Sequence, residues 1–327
     1  MDLTKGIEKV TRAAGIYFLV QGLAVFGWWA TLLTWPSTRT LFALDPRSDT
    51  PLLSFWLADL SLLGIGSVIA GIMCIRGSEF IKPIVWLITG AITYATLYCL
   101  AFTLLTDAGW LGIILMFPAM IWSGVFATGL AVPRAMFRQS ADRSPRWIAA
   151  KTLIQIIVVW GIILGVVPYL ITVIEDKVGL GRLHFPYQKS IAWVLFFIIS
   201  SFGIWAAMVM SKTGEGTPLP LDHAKKLVFR GPYAFVRNPM AVSGIGQGLA
   251  VALLLGSGFV ALYALMGSLI WQLVFRPLEE DDLRARFGSD YEKYADEVKC
   301  WVPRSKPYQI DGTADSSNSI VSPSGRM

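Results

Sequence analysis

Eight apolar runs separated by short polar stretches constrain this 327-residue chain more than any motif in it. They run from Ile16 to Trp35, Leu52 to Ile75, Ile84 to Leu105, Trp110 to Val132, Thr152 to Ile174, Ile191 to Met210, Met240 to Leu255 and Phe259 to Phe275. The first six, at about 20 to 24 residues, are each long enough to cross the hydrocarbon core of a bilayer as a helix. The last two, at about 16 and 17 residues, are marginal as full spans and are expected to form a short helical hairpin turning at Gly256-Ser257-Gly258. Lipid cannot satisfy a backbone N–H or C=O, and the runs lack the strict alternation of a barrel strand. The expected fold is therefore an all-α, polytopic membrane bundle of about eight segments. Composition agrees: 54% of residues are hydrophobic and only 15% charged, with a mean hydropathy of +0.57.

Basic residues divide unequally between the two sides this count creates. The termini and the loops after the second, fourth and sixth segments hold 23 Lys and Arg, and the opposite loops hold 5. The positive-inside rule then places both termini, and the polar loops around Arg138 and Arg237, in the cytoplasm. The net charge of +6 follows from this asymmetry and from attraction to anionic headgroups, so nucleic acid is not an expected partner. Three scattered cysteines (Cys74, Cys99, Cys300) and two histidines (His184, His223) lack the spacing of a disulfide framework or a metal site. No metal is expected. The first segment is long enough to be retained as a span.

Pro133, Pro145 and five basic residues mark a break between the halves. We divide the chain into an N-terminal four-helix membrane region of unassigned role (1–133), a basic cytoplasmic linker (134–151), a membrane domain carrying the candidate chemistry (152–304) and a flexible tail rich in Ser, Pro and Asp (305–327). Asp59 lies inside an apolar run and must face protein or water, with Ser61 or Thr93 as expected hydrogen-bonding partners. Gly64, Gly66, Ser67, Ala70 and Gly71 offer a small-residue face for close helix packing.

The polar loop before the last hairpin and the polar sequence after it must return to one membrane surface. Arg237 precedes the hairpin, and Glu279 and Glu280 follow it. Carboxylates facing an arginine and backbone donors match the ammonium, sulfonium and carboxylate of S-adenosylmethionine. Gly231 permits close backbone approach, and Pro232 and Pro239 fix the path of the loop. Tyr233 or Phe235 is placed to cover an adenine ring. Arg276 is a candidate for holding an anionic acceptor, or else a snorkelling interfacial arginine. Glu280 is a candidate proton acceptor, with His223 the weaker one. Gly244 and Gly248 have helix-packing spacing; no βαβ context makes them a dinucleotide loop.

The ordered set LVFRGPYAFVRNPM, the apolar hairpin with LLLGS, EEDDLRARFGSDYEKY and the closing WVP resembles the isoprenylcysteine carboxyl methyltransferase and phospholipid methyltransferase-like membrane enzymes. The resemblance runs from about Lys212 to Pro303. It implies a cytosolic S-adenosylmethionine pocket formed by Gly231, Pro232, Tyr233, Arg237, Asn238, Pro239, Glu279 and Glu280, with access for a lipophilic acceptor from the membrane. Asn238, Ala241 and Ser243 stand where the family carries histidine, tyrosine and glycine. Two other classes fit the composition: a transporter with a polar route through Asp59, Gln155, Gln247 and Gln272, and a noncatalytic scaffold that keeps a methyltransferase-like fold. A membrane reductase using NADPH is disfavoured by the carboxylate pair at Glu279-Glu280.

Overall fold

The computed structural model describes residues 4–131, 138–139, 154, 156–214, 222–223, 226–309 and 320–321. The linker other than 138–139, Gln155, and much of the loop before the last hairpin lie outside the described residues. Eight helices carry the fold: α1 (Thr4–Thr34), α2 (Thr50–Arg76), α3 (Ile81–Thr106), α4 (Trp110–Ala131), α5 (Ile157–Lys177), α6 (Gln188–Gly214), α7 (Pro239–Leu255) and α8 (Gly258–Glu297). All but α7 are long and apolar enough to cross a membrane, so the protein is an integral membrane helical bundle. Large apolar side chains such as Leu105, Phe197 and Leu262 point outward, as they do where the solvent is lipid.

The last hairpin departs from expectation in one respect. Its second arm does not stop at the membrane edge. The apolar stretch Gly258–Phe275 continues without a loop into a polar helix, and the axis breaks only at Gly288, where φ is 52° and ψ −128°. Arg276–Glu297 therefore stands beyond the spanning segment, and its orientation is inherited from a helix anchored in the bilayer. The turn itself is as expected: Gly256 takes φ +64° as the cap of α7, and Ser257 Oγ accepts the Val260 N–H at 2.9 Å to start α8.

α1 packs along the second half of α2, α3 along α4, and α6 and α8 flank α7. The small-residue face on α2 does what its spacing predicts. A Cβ at Gly71 would lie 2.8 Å from Gly15 O and one at Gly22 2.8 Å from Gly64 O, so the two backbones touch where only glycine fits. Ser67 accepts a hydrogen bond from Gln21 Nε2 at 3.0 Å in the same seam. α1 also runs against α8. One core cluster joins Val10 and Phe18 of α1 to Val85, Phe126, Val274 and Leu278, so the N-terminal helices and the start of the α8 extension share a single interior. The chain remains docked past Ser305: the Tyr308 N–H donates to Ala234 O at 2.9 Å, and its ring meets Phe229 and Tyr294. Part of the segment expected as a tail is therefore docked, and Ile320–Val321 also pairs antiparallel with Leu227–Val228.

Candidate functional site

The loop from Lys226 to Asn238 is shaped by three residues. Gly231 takes φ +55°, and a Cβ there would press to 3.1 Å from Val209 Cγ2 and 3.5 Å from the Trp205 ring on α6. Pro232 then opens a single tight turn, Gly231–Ala234, with the Val236 N–H donating to Pro232 O at 3.1 Å. Asn238 ends the loop as the cap of α7: its Oδ1 accepts the Ala241 N–H at 3.0 Å, and Pro239 occupies the first helical turn. Asn238 is thus committed, through its oxygen, to starting a helix.

This loop is sewn to the end of α8 and the segment after it. Arg237 N–H donates to Lys299 O at 3.0 Å, Arg304 N–H to Phe235 O at 2.9 Å, and Tyr294 Oη to Tyr233 O at 2.7 Å. Arg237 sends one guanidinium nitrogen to Ala295 O at 3.1 Å and another to Glu280 Oε1 at 3.1 Å. The loop before the hairpin and the helix after it therefore meet, as chain return requires. The contact is largely dry, with side-chain exposures of 13% for Arg237 and 11% for Glu280.

Glu280 is shared more widely than the sequence suggests. Arg276 Nε reaches its Oε1 at 2.9 Å, and Arg284 reaches its Oε2 at 3.3 Å, both one helical turn away. Burial alone would raise the pKa of Glu280, but the charges of Arg237, Arg276 and Arg284 and the Arg276 hydrogen bond outweigh it and hold the carboxyl below its usual range. A carboxylate so held is a weaker proton acceptor than a free one. Arg276 in turn donates to Gln272 Oε1 at 3.0 Å, and the Trp301 indole donates to the same oxygen at 2.8 Å. These bonds fix Arg276 at the membrane edge and anchor the closing WVP sequence to α8.

Next along the helix, Asp281 accepts from Arg284 at 3.3 Å and, through Oδ2, from the Gly6 N–H at 2.5 Å. The first turn of α1 is thus capped by a side chain 275 residues later. Glu279 is half-buried. Burial first, and the charge of Glu279 second, push the Tyr233 phenol well above its usual pKa, so Tyr233 stays protonated. Burial also raises the Cys300 thiol to about 11, and it is no nucleophile at neutral pH. Tyr291, buried with its ring 5.8 Å from the Arg284 guanidinium, has a hydroxyl with no hydrogen-bond partner among the described residues.

Within the membrane, α7 presents Met240, Ser243 and Gln247 to a cavity of about 450 Å³ shared with α5 and α6. Trp160, Phe196 and Gly203 complete much of its wall, and among the described residues no charged one lines it. Gln247 Nε2 donates to Ser200 Oγ at 2.8 Å, and Ser243 Oγ to Ile199 O at 2.9 Å. Ser243 is accommodated because Gly203 faces it; a Cβ at Gly203 would overlap Ser243 Oγ. Gly244 and Gly248 pack against the Trp160 ring and Ala264, as their spacing predicts.

The structure brings Arg237 and Arg276 each into direct contact with Glu280; Gly231 and Pro232 form the turn against α6, Tyr233 is bonded through its carbonyl to Tyr294, and Asn238 and Pro239 follow Arg237 as the start of α7. Arg284, Asp281 and Tyr291 belong to the same cluster and were missed. The i,i+4 spacing of Glu280 and Arg284 was a readable signal; the trans cap of Gly6 and the orphan hydroxyl of Tyr291 had none. The side chain of His223 lies outside the described residues. Asp59, Gln247 and Gln272 of the transport reading do not share a cavity: each is hydrogen-bonded in a different place.

Residues 187–290 match the family model described as phospholipid methyltransferase. The matched segment contains the loop, the hairpin and the acidic run of α8, so this part of the chain is similar to membrane methyltransferases, and the N-terminal four helices lie outside the match. No curated protein and no solved structure matches the chain.

Proposed function

We propose that this protein is an integral membrane S-adenosylmethionine-dependent methyltransferase that modifies a lipophilic acceptor at the cytoplasmic face. The observation that carries the reading is the Arg237–Glu280 contact at 3.1 Å, which joins the two polar sequences flanking the hairpin inside the segment matched by the family model. The donor set suits the cofactor. Arg237 and Arg276 share the Glu280 carboxylate, while Arg284 is divided between Glu280 and Asp281, so guanidinium N–H donors of the first two can also meet the cofactor's carboxylate; Glu279 is half-buried beside them, and among the described residues the Tyr291 hydroxyl has no partner. When bound, S-adenosylmethionine supplies an activated methyl group on a sulfonium.

The residues of this chain then have separable roles. Glu280 orients Arg237 and Arg276 and does not accept a proton. Arg237 and the backbone of the Gly231–Ala234 turn hold the cofactor's amino-acid end, and Glu279 balances its positive charge. Pro232 and Pro239 keep the loop in place, and Tyr233, fixed through its carbonyl by Tyr294, walls the pocket. The uncharged cavity bordered by Met240 offers a hydrocarbon chain a route to the loop from within the bilayer. Arg276, at the membrane edge, is positioned to steer an anionic acceptor. Positioning is then the main source of rate. The excess of basic residues on the side of both termini supports a cytoplasmic site.

Purified protein incubated with methyl-labelled S-adenosylmethionine and a membrane lipid extract should yield labelled lipid, identified by mass spectrometry. Arg237→Ala and Glu279→Gln should each weaken cofactor binding by about tenfold or more, the scale of a lost charge-assisted hydrogen bond, with membrane insertion unchanged. Unaltered binding in both variants refutes the assignment. Binding without transfer to any lipid would instead support the scaffold reading, which the commitment of Asn238 Oδ1 to capping favours.

A further inference from the structure

The N-terminal half holds a second cavity of about 520 Å³ between α1, α2, α3 and α4. Its walls include Trp28, Phe42, Phe55, Ile113 and Trp122. It lies toward the opposite membrane face from Arg237: Gly6, at the Asp281 end of α1, precedes Trp28 by 22 residues, about 33 Å of helix. Lining residues Val20 and Leu115 also point out toward lipid, so the cavity borders the hydrocarbon as well as the loop at Phe42.

Two kinds of polar group reach it. Tyr17 and Gln21 are satisfied: Tyr17 Oη donates to Gln21 Oε1 at 2.5 Å and sits 2.8 Å from Ala119 O, and Gln21 Nε2 donates to Ser67. Asp59 is different. Among the described residues it is the only charged one of the lining, and it carries one hydrogen bond there, from Trp29 Nε1 to Oδ2 at 3.2 Å. Neither Ser61 nor Thr93 serves it; each bonds a backbone carbonyl in its own helix. Among the described residues no cation pairs with it. It also opens a widened helical turn, Asp59–Ile65, a distortion that recurs at functional sites. A carboxylate at membrane depth is costly unless a positive charge compensates it, and the surrounding aromatic faces attract a cation.

We propose that this cavity binds an amphiphile with a protonated amine headgroup, the ammonium on Asp59 and the hydrocarbon chain along the apolar walls. The site is independent of methyl transfer. Lateral contact with lipid favours an amphiphile over a soluble cation, and a lining without Lys or Arg disfavours an anionic headgroup.

The test uses the full chain in phosphatidylcholine nanodiscs at pH 7, with dodecylammonium and dodecanol as probes of equal chain length. The wild type should bind dodecylammonium at least about tenfold more tightly than dodecanol. Asp59→Asn, which retains an oxygen for Trp29, should abolish that preference while leaving dodecanol binding as it was. Gly112→Leu, at a lining position where a Cβ meets nothing within 4 Å, should fill the cavity and weaken both probes. Equal binding of the two probes to the wild type, a preference that survives Asp59→Asn, or binding of both probes left unchanged by Gly112→Leu overturns the proposal. The methylation assay is read separately, so loss of either function leaves the other standing.

Discussion

Glu280 gathers three arginines from two elements, and substitutions around it should rank by how much charge they strand. Glu280→Gln leaves Arg237, Arg276 and Arg284 facing one another in a largely dry setting and should cost about 3 to 5 kcal/mol. Arg284→Ala removes the most exposed partner of the three and should cost about 1 kcal/mol or less. Thermal unfolding in detergent checks the order, and equal losses would show that the cluster is not a shared network. The sequence made Arg237, Glu279 and Glu280 legible because the hairpin between them has only one way to return. It could not show that Glu280 is spent on arginines, since a carboxylate's neighbours across a loop depend on backbone path and not on spacing. Asn238 illustrates the same limit: its inability to titrate is written in its side chain, whereas its employment as a helix cap is visible only once the Ala241 N–H is placed.

At the scale of elements, the turn between α7 and α8 controls where the polar half of α8 is delivered. Gly256 is held in left-handed geometry, and a Cβ there would lie 2.3 Å from Leu183 O. That carbonyl belongs to the segment whose Leu183 N–H donates to Gly256 O at 2.8 Å, while Gln188 Nε2 donates to Leu253 O at 2.6 Å. Gly256→Ala should therefore cost about 1 to 2 kcal/mol for backbone conformation alone and more for the overlap. A melting temperature equal to wild type would show that the turn adjusts freely. Hydropathy located this turn and all eight helices, because a bilayer demands long apolar runs. It missed the continuation of α8 past Phe275, since its polar half has no apolar run to mark it; there, helix persists because the Glu280–Arg276 and Glu280–Arg284 pairs bridge successive turns.

For the whole molecule, the unequal distribution of basic residues sets an orientation that can be tested without reference to activity. The native cysteines are buried, so in a background lacking them Glu79→Cys should react with a membrane-impermeant maleimide only after the cytoplasmic side is opened. Ser37→Cys should react from the other side in intact cells or vesicles. Reversed labelling would invert the site's compartment. The halves that this topology orders were read from sequence as separate regions, and the core shared by Val10, Phe126, Val274 and Leu278 was not foreseeable from patterns confined to single helices. The Asp281 cap on Gly6 carries that union to the surface and imposes an order on biogenesis. The Gly6 N–H, in the first turn of α1, meets this acceptor only once α8 has been synthesised. A chain cut short before Asp281 should be recognisable to quality control by its own beginning.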